Sequence, residues 1–399
     1  MNKKRVLIPE MLFFQEGPGV RNTQYTDSGV KLLNVANLVD GRVDLSTSNR
    51  YISEEEAYGK YNHFLVDEGD FIIASSGIKV EYFDKKMGFV DASQLPLCMN
   101  TSTIRFKVLE KEKLNIRYFM YYLKSQDFKN QLARQITGSA QLNFGPSHLK
   151  KMKFPLVGIG EQNDICCKLD KIVSIVEKRQ EELEKFDLLI KARFVEMFGD
   201  PVDNPKGWKK QQLQELVTGD CTISYGIVQT GDDQEEGVPV FRPVDIVNRI
   251  PVCSELKKTT EEISNKYKRT ILKGREMLIT VRANIADTCI VGGEFAGCNV
   301  GRGIVPIRTQ EDIIPLEFLK HQIDSKHLND NIKAMAKGIT LIQLNMEDLR
   351  EVELIVPPID MQREFIAFAE QVNKSKVAVQ AALEETQLMF DSLMQEYFG

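Results

Sequence analysis

The chain has 399 residues, room for two to four compact units at roughly 100 to 200 residues each. Hydrophobic residues make 42% and charged residues 27%, which supplies buried cores and excludes wholesale disorder, while the net charge of −5 argues against a uniformly basic nucleic-acid binder. No apolar run approaches the roughly 18 residues of a membrane span, and Pro9 and Glu10 interrupt the N-terminal apolar stretch, so the chain reads as cytoplasmic, without span or secretory leader.

Residues 1–155 read as a first mixed, strand-rich α/β module. KLLNVANL, DFIIASSG and STIRFKV predict strands, and the segment after Leu114 turns helical. Pro155, Gly158 and Gly160 mark a connector, after which 161–199 predicts one long helix. Its apolar seam runs in steps of four and three through Ile165, Leu169, Ile172, Val176, Leu183, Phe186, Ile190 and Met197, broken only at Arg179. The phrase MFGDPVDNPKGW, 197–208, ends that helix with two prolines and two glycines.

Residues 200–356 read as a second α/β module, with strands at VPVFRPVDI, EMLITV and RGIVPIR and a helix after Leu316. Pro357 and Pro358 precede a second long helix, 361–399, whose seam includes Phe365, Ala369, Val372, Lys376, Val379, Leu383, Thr386, Phe390, Leu393 and Tyr397, with three weaker positions. Each seam sustains four or more heptads over roughly 50 Å of helix, the pattern of a coiled coil. Two such helices separated by a whole module pair most simply with each other, antiparallel; the plainer alternative lays each on its own module.

The chain also repeats itself. Residues 137–199 align without a gap on 337–399, a shift of 200 that puts Gly138 on Gly338, Leu149 on Leu349, Gln162 on Gln362 and Phe198 on Phe398. Upstream, SGVKLLNVANL from Ser28 resembles EGVPVFRPVDI from Glu236, and YFMYYLKS from Tyr118 resembles FLKHQIDS from Phe318. The layout is module, helix, module, helix, an internal two-fold repeat.

Charge is unevenly divided. The segments 161–200 (7 basic, 10 acidic) and 361–399 (3 basic, 6 acidic) are each net −3, whereas residues 1–160 hold 22 basic and 17 acidic residues. Residues 201–360 are net acidic, with 20 basic and 24 acidic. Within them Lys266, Lys268, Arg269, Lys273, Arg275 and Arg282 face only Glu276, so basic surface is local and compatible with DNA contact. The plainer reading is a solvated face balanced by DDQEE at 232–236.

Catalytic signatures are missing from the sequence. It has no GxxxxGK[ST] phosphate loop and no GxGxxG turn, and NPKG at Asn204 lacks the second proline and aromatic of an amino-methyltransferase loop. Gly292, Gly293, Gly297, Gly301 and Gly303 lead into the apparent strand IVPI, which suits tight turns better than phosphate gripping. Seven scattered cysteines form no CxxC pair and read as reduced, mostly core residues. His63, His148, His321 and His327 fit no zinc spacing and no Ser–His–Asp constellation stands out, so no metal, cofactor or chemistry of the chain's own is expected.

The alternating modules and helices, the proline-marked connectors into Gln162 and Gln362, EQNDI at 161–165 and FGDP at 198–201 resemble the specificity (S) subunit of type I restriction-modification systems. The second copy departs from the first, with MQREF in place of EQNDI, and no NPKGW phrase opens the first module. The resemblance implies two DNA target recognition domains, each reading half of a bipartite double-stranded target. It implies spacer helices that dock two methyltransferase (M) subunits, with restriction (R) subunits completing the complex and supplying the cleavage. It implies no catalysis by this chain.

Base-edge readers are sought among loop Arg, Lys, Asn, Gln, Ser, Thr and Tyr residues. In the first module these are Arg21, Asn22, Gln24, Tyr25, Ser75, Ser76, Lys79, Thr101 and Ser102. In the second they are Ser224, Tyr225, Gln229, Thr230, Arg242, Thr280, Arg282, Asn284, Asn299 and Arg302. A second apolar edge on the helices, Ile175 and Leu189 on the first, Ile366 and Met389 on the second, is the expected partner-binding surface. Two other functions stay open on the residues alone: a tandem coiled-coil scaffold that binds only protein, and a nuclease or methyltransferase with degenerate motifs.

Overall fold

The computed structural model describes residues 4–135, 142–246, 253–338 and 342–399. Gly138, near the start of the sequence repeat, lies outside them. The chain divides into two compact units, Met1–Arg179 with Ala382–Gly399, and Gln180–Ala381, so each long helix contributes to both.

The first unit is centred on a four-stranded antiparallel sheet in the order Leu12–Glu16, Thr103–Val108, Phe71–Ala74, Met87–Phe89. Beside it Val30–Leu33 pairs in parallel with Leu97–Met99 and antiparallel with Tyr51–Ile52. The strand Phe71–Ala74 is buried at every position, which explains why its sequence is a continuous apolar run rather than an alternation. Helix Ile116–Lys124 buries Tyr118, Phe119, Tyr121, Tyr122 and Leu123. Arg5–Leu7 pairs antiparallel with Lys153–Pro155 and closes the unit.

The second unit carries the same kinds of element in the same order. Lys210–Gln212 pairs with Glu353–Ile355. Val238–Phe241 pairs in parallel with Asn299–Val300 and antiparallel with Lys258–Thr259. A three-stranded antiparallel sheet runs Thr288–Val291, Glu276–Thr280, Ile304–Ile307, with Pro306 on an edge strand where its missing N–H costs least. Helix Leu316–Ile323 stands where Ile116–Lys124 does in the first unit. Gly29 and Gly237 show why SGV and EGV look alike: both have positive φ (127° and 147°), and a Cβ would meet the carbonyl oxygen of Ile52 at 2.2 Å or of Thr259 at 2.3 Å.

The long helices are Ile159–Phe198 and Ile359–Phe398, 40 residues each, about 60 Å at the usual rise. The first starts within the glycine pair rather than after it. Every named seam position is buried or half-buried. Arg179, the one break in the first seam, donates to the Ala382 carbonyl and to Thr386, itself a polar seam position, all within the first unit. In the second unit Lys376 pairs with Asp187, Arg193 lies 3.2 Å from Glu364, and the Phe194 and Phe365 rings pack edge to face at 5.3 Å. There, positions rise along one helix as they fall along the other. Each unit receives one helix C-terminus: Phe398 packs 5.0 Å from Tyr118, and Phe198 packs 4.9 Å from Phe318.

The connectors are fastened from within. The Gln162 side chain is fully buried; its Nε2 donates to Lys113 and Val157 carbonyls, and its Oε1 accepts from the Asn115 N–H at 2.9 Å. Gln362 repeats the first two bonds to Ile313 and Pro357. MFGDPVDNPKGW is a helix stop: Gly199 takes φ +77°, the Trp208 indole donates to the Phe198 carbonyl, and Lys206 donates to the carbonyls of Glu196 and Met197. Those carbonyls would otherwise end the helix unpaired.

Candidate nucleic-acid interface

In the first unit Asn100 organises the polar loops. It is buried; its Oδ1 accepts from the N–H groups of Val20 and Thr101, and its Nδ2 donates to Asn34 Oδ1 at 2.9 Å. Tyr25 sits against this group, with its hydroxyl 3.5 Å from Asn100 Nδ2 and the Arg50 guanidinium 5.3 Å from its ring. Arg21, Asn22 and Thr101 are exposed around it. Ser76 donates to Ser102 at 2.6 Å, and Ser102 holds φ +66°, an uncommon conformation for a residue with a side chain. Lys79 is exposed and precedes the turn Val80–Lys85. Gln24 is half-buried and its amide is already engaged by Glu56 at 2.7 Å and Tyr61 at 3.1 Å.

The second unit gathers Arg282, Arg302 and Tyr225 into one electrostatic group. Gly226 allows this, because a Cβ there would stand 1.7 Å from the Val300 carbonyl oxygen, whose acceptor pairs with the Ile227 N–H. Partial burial and the neighbouring Arg302 charge hold the Arg282 guanidinium below the usual arginine range, with Tyr225 acting weakly the other way. Arg282 donates to Gln343 Oε1 from both Nε, at 2.8 Å, and Nη2. Among the described residues no carboxylate pairs with Arg282 or Arg302. The turn after Arg282 is strained: Ala283 and Ala286 have φ of +58° and +65°. It leaves Asn284 exposed, as Tyr225 and Gln229 are. Ser224 and Thr230 are half-buried, Ser224 within 3.0 Å of Thr222 and Thr230 accepting from Thr259 through its carbonyl.

Several sequence expectations are corrected by burial. Ser75 is fully buried against Glu16. Thr280 is fully buried and uses its hydroxyl to hold the turn at Asn284 and Asp287. Asn299 is fully buried, bonded to Thr270 at 2.7 Å and Ser264 at 3.0 Å. None of the three presents a free edge. Arg242 is forked onto Asp245 at 3.0 and 2.7 Å, a bond that raises its pKa and neutralises its charge. The basic run at 266–282 is likewise broken up, because Lys266 pairs with Glu262, Lys273 with Asp220, and Arg275 with Glu311 and Glu317.

On the helices, Ile175 and Leu189 are 42% and 46% exposed and Met389 is 56% exposed. Ile366 differs: it packs half-buried against the second unit's core. Leu188, Val377 and Leu388, not singled out from the sequence, are 63% to 70% exposed. Arg50, Asn34, Asn100 and Gln343 were also passed over. Asn100 could have been noticed beside Thr101, but nothing local marks Gln343, which reaches Arg282 across 61 positions.

The chain is thus two mixed α/β units, each with polar loop residues at its rim and a share of two long helices. The type I restriction modification DNA specificity domain matches residues 29–185 and 205–386, and the chain belongs to that family. It is 23% identical over 300 residues to the type I restriction enzyme EcoBI specificity subunit of Escherichia coli, covering 69% of this chain and 62% of that protein. It is 25% identical over 187 residues to the MjaVIII specificity subunit of Methanocaldococcus jannaschii, covering 45% and 42%. The chain thus spans less than two thirds of the length of these two relatives. Its fold is that of the type I restriction-modification S subunit of M. genitalium, with a TM-score of 0.55 at 14% identity over 100% of this chain and 96% of that one. A chain from a solved type I R-M system, in work on complex assembly and conformational transition, gives 0.57 at 18% identity over 99% and 97%. No helix of the described residues is long and apolar enough to cross a membrane.

Proposed function

We propose that this chain is the sequence-specific DNA-binding subunit of a type I restriction-modification complex, working in the cytoplasm and catalysing nothing itself. Two target recognition domains, 1–155 and 200–356, read the halves of a bipartite duplex. The helices 161–199 and 361–399 form an antiparallel coiled coil that sets their separation, and the two halves of the chain are a two-fold repeat. Two methyltransferase subunits dock on the exposed helix edges at Ile175, Leu189 and Met389 with Ile366 at the margin, and restriction subunits join them.

The observation that carries this reading is the Arg282 guanidinium, held by Gln343 with no carboxylate partner among the described residues and within electrostatic reach of Arg302 and Tyr225. Arginine in that setting forms bidentate contacts to guanine. In the first unit the loops around Asn100 offer Arg21, Asn22, Tyr25, Thr101, Ser76 and Ser102, with Lys79 and Arg50 for phosphate. In the second, Asn284, Gln229, Tyr225 and Ser224 with Thr230 complete the rim. The test is binding of the chain, with its methyltransferase partner, to bipartite duplexes of varied spacer. Inserting one heptad after Leu183 and one after Leu383 lengthens the helical body by about 10 Å in register and should lengthen the preferred spacer by roughly three base pairs. An unchanged spacer in a folded, binding variant contradicts the ruler; no preference for any duplex contradicts the DNA-binding function and leaves a protein scaffold.

A further inference from the structure

We propose that Cys253 and Cys298, in the second unit, form a reversible dithiol–disulfide modification site, distinct from DNA reading and independent of it. Their Sγ atoms lie 3.6 Å apart, and among the described residues they are the only two thiols in contact. Elsewhere Cys98 donates its thiol to the Met99 carbonyl, Cys221 donates to the Pro306 carbonyl, and Cys167, next to the buried Cys166 in sequence, is exposed.

The two thiols have unequal surroundings, and that inequality assigns their roles. Cys253 is half-exposed at the start of the short turn Cys253–Glu255, where a small oxidant reaches it. Cys298 is 3% exposed, immediately before strand Asn299–Val300, and burial pushes its thiol up to about 12. The Cys253 sulfur therefore attacks one oxygen of hydrogen peroxide and breaks the O–O bond, giving a sulfenic acid and, from the departing hydroxide and the thiol proton, one water. The Cys298 sulfur then displaces the sulfenic hydroxyl as a second water, its own proton leaving with that hydroxyl. The products are one disulfide and two waters from two thiols and one peroxide, and a thiol reductant restores both thiols.

The movement required is small and falls on one side. A disulfide needs the sulfurs at about 2.0 Å, a closure of roughly 1.5 Å. Cys298 cannot supply it, because its strand is pinned by Val240 and Phe241 and by the fully buried Asn299. The turn Cys253–Glu255 must move inward. It follows Phe241 by a dozen positions and precedes strand Lys258–Thr259, so oxidation staples the segment leading into one edge strand, Lys258–Thr259, to the opposite edge strand, Asn299–Val300, of the sheet built on Val238–Phe241.

The experiment treats the full native chain with hydrogen peroxide, blocks remaining thiols, and maps peptides without reduction. The expected result is a Cys253–Cys298 cross-link, lighter by about 2 Da, that disappears with reductant, while Cys98 stays unmodified. Amide exchange in 253–259 should slow roughly tenfold in the oxidised form. In Cys298→Ala, dimedone should capture a lasting sulfenic acid on Cys253. If that variant does not fold, Cys253→Ser serves instead and should yield no cross-link and an intact Cys298. Oxidation of Cys253 to sulfinic acid without a cross-link, or no reaction of the pair at a dose that oxidises half of Cys167, would overturn the proposal. Because the cross-link is read without DNA, its outcome stands apart from that of the recognition reading.

Discussion

Gln162 in the first unit has both Nε2 protons and its Oε1 engaged, whereas Gln362, 200 positions on, keeps the two carbonyl partners and leaves Oε1 with none among the described residues. The cause is one residue. Asn115 supplies the missing N–H in the first unit, and its counterpart is Pro315, which has none to give. The same two units agree at Gly29 and Gly237, where backbone approach forbids a side chain, and differ wherever a loop meets solvent. Gln162 and Gln362, and Gly29 and Gly237, keep their backbone-closing roles in both halves, while Asn115 and Pro315 do not.

The largest expected effect tests the agreement. Gly29→Ala and Gly237→Ala each put a Cβ about 2 Å from a carbonyl oxygen in a left-handed conformation and should cost about 3 to 5 kcal/mol. Gly41→Ala and Gly297→Ala share the positive φ but open onto free space, and should cost only about 1 kcal/mol. Urea unfolding measures all four, and equal losses would remove close approach as the reason.

The glutamines give the next step down. Gln162→Ala strands two buried carbonyls and an N–H and should cost about 3 kcal/mol; Gln362→Ala strands two carbonyls and should cost about 1 kcal/mol less. Pro315→Asn restores the N–H and adds a capping side chain. Its gain, offset by a looser unfolded chain, should be within about 1 kcal/mol, and the part owed to the restored N–H should vanish in a Gln362→Ala background.

Acid should separate the units more gently. His321 occupies the position of Tyr121, and burial, helped by the Lys320 charge, lowers its pKa to about 4. Above its ordinary 6.5 the imidazole is neutral folded or unfolded; below it, the unfolded chain takes up a proton that the folded one refuses. Stability of the second unit is therefore lost as pH falls from 6.5 towards 4, by about 1 to 2 kcal/mol between pH 7 and 5 for a partly exposed group. Tyr121, raised by burial and its Asp170 bond, does not titrate there. His321→Phe should flatten that part of the profile, and an unchanged slope would assign the loss to other groups.

The long helices were legible because a seam with a period of three and four residues is a local pattern, and even its polar breaks had meaning: Arg179 and Thr386 bond to each other. The mixed α/β character and the family were legible for the same reason, through strand runs and the shared connector phrases. The rim was not. Asn284 and Asn299 are indistinguishable as letters, yet one is exposed and the other fully buried, because Ser264 and Thr270, some thirty positions away, fold over the second. Arg242 and Arg302 look equally free until Asp245 takes the first. Long-range packing decides which polar residues remain available, and no local spacing records it.

The central claim, that each unit reads its own half of the target, is tested most directly at Arg282. Arg282→Ala should relax base preference in one half-site, by about 1 to 3 kcal/mol at a single position, and leave the other half-site unchanged. Affinities for single-base variants of both half-sites, at two salt concentrations, decide it. Equal losses in both halves, with the salt slope lowered by about one, would mean a phosphate contact and contradict the base-reading role.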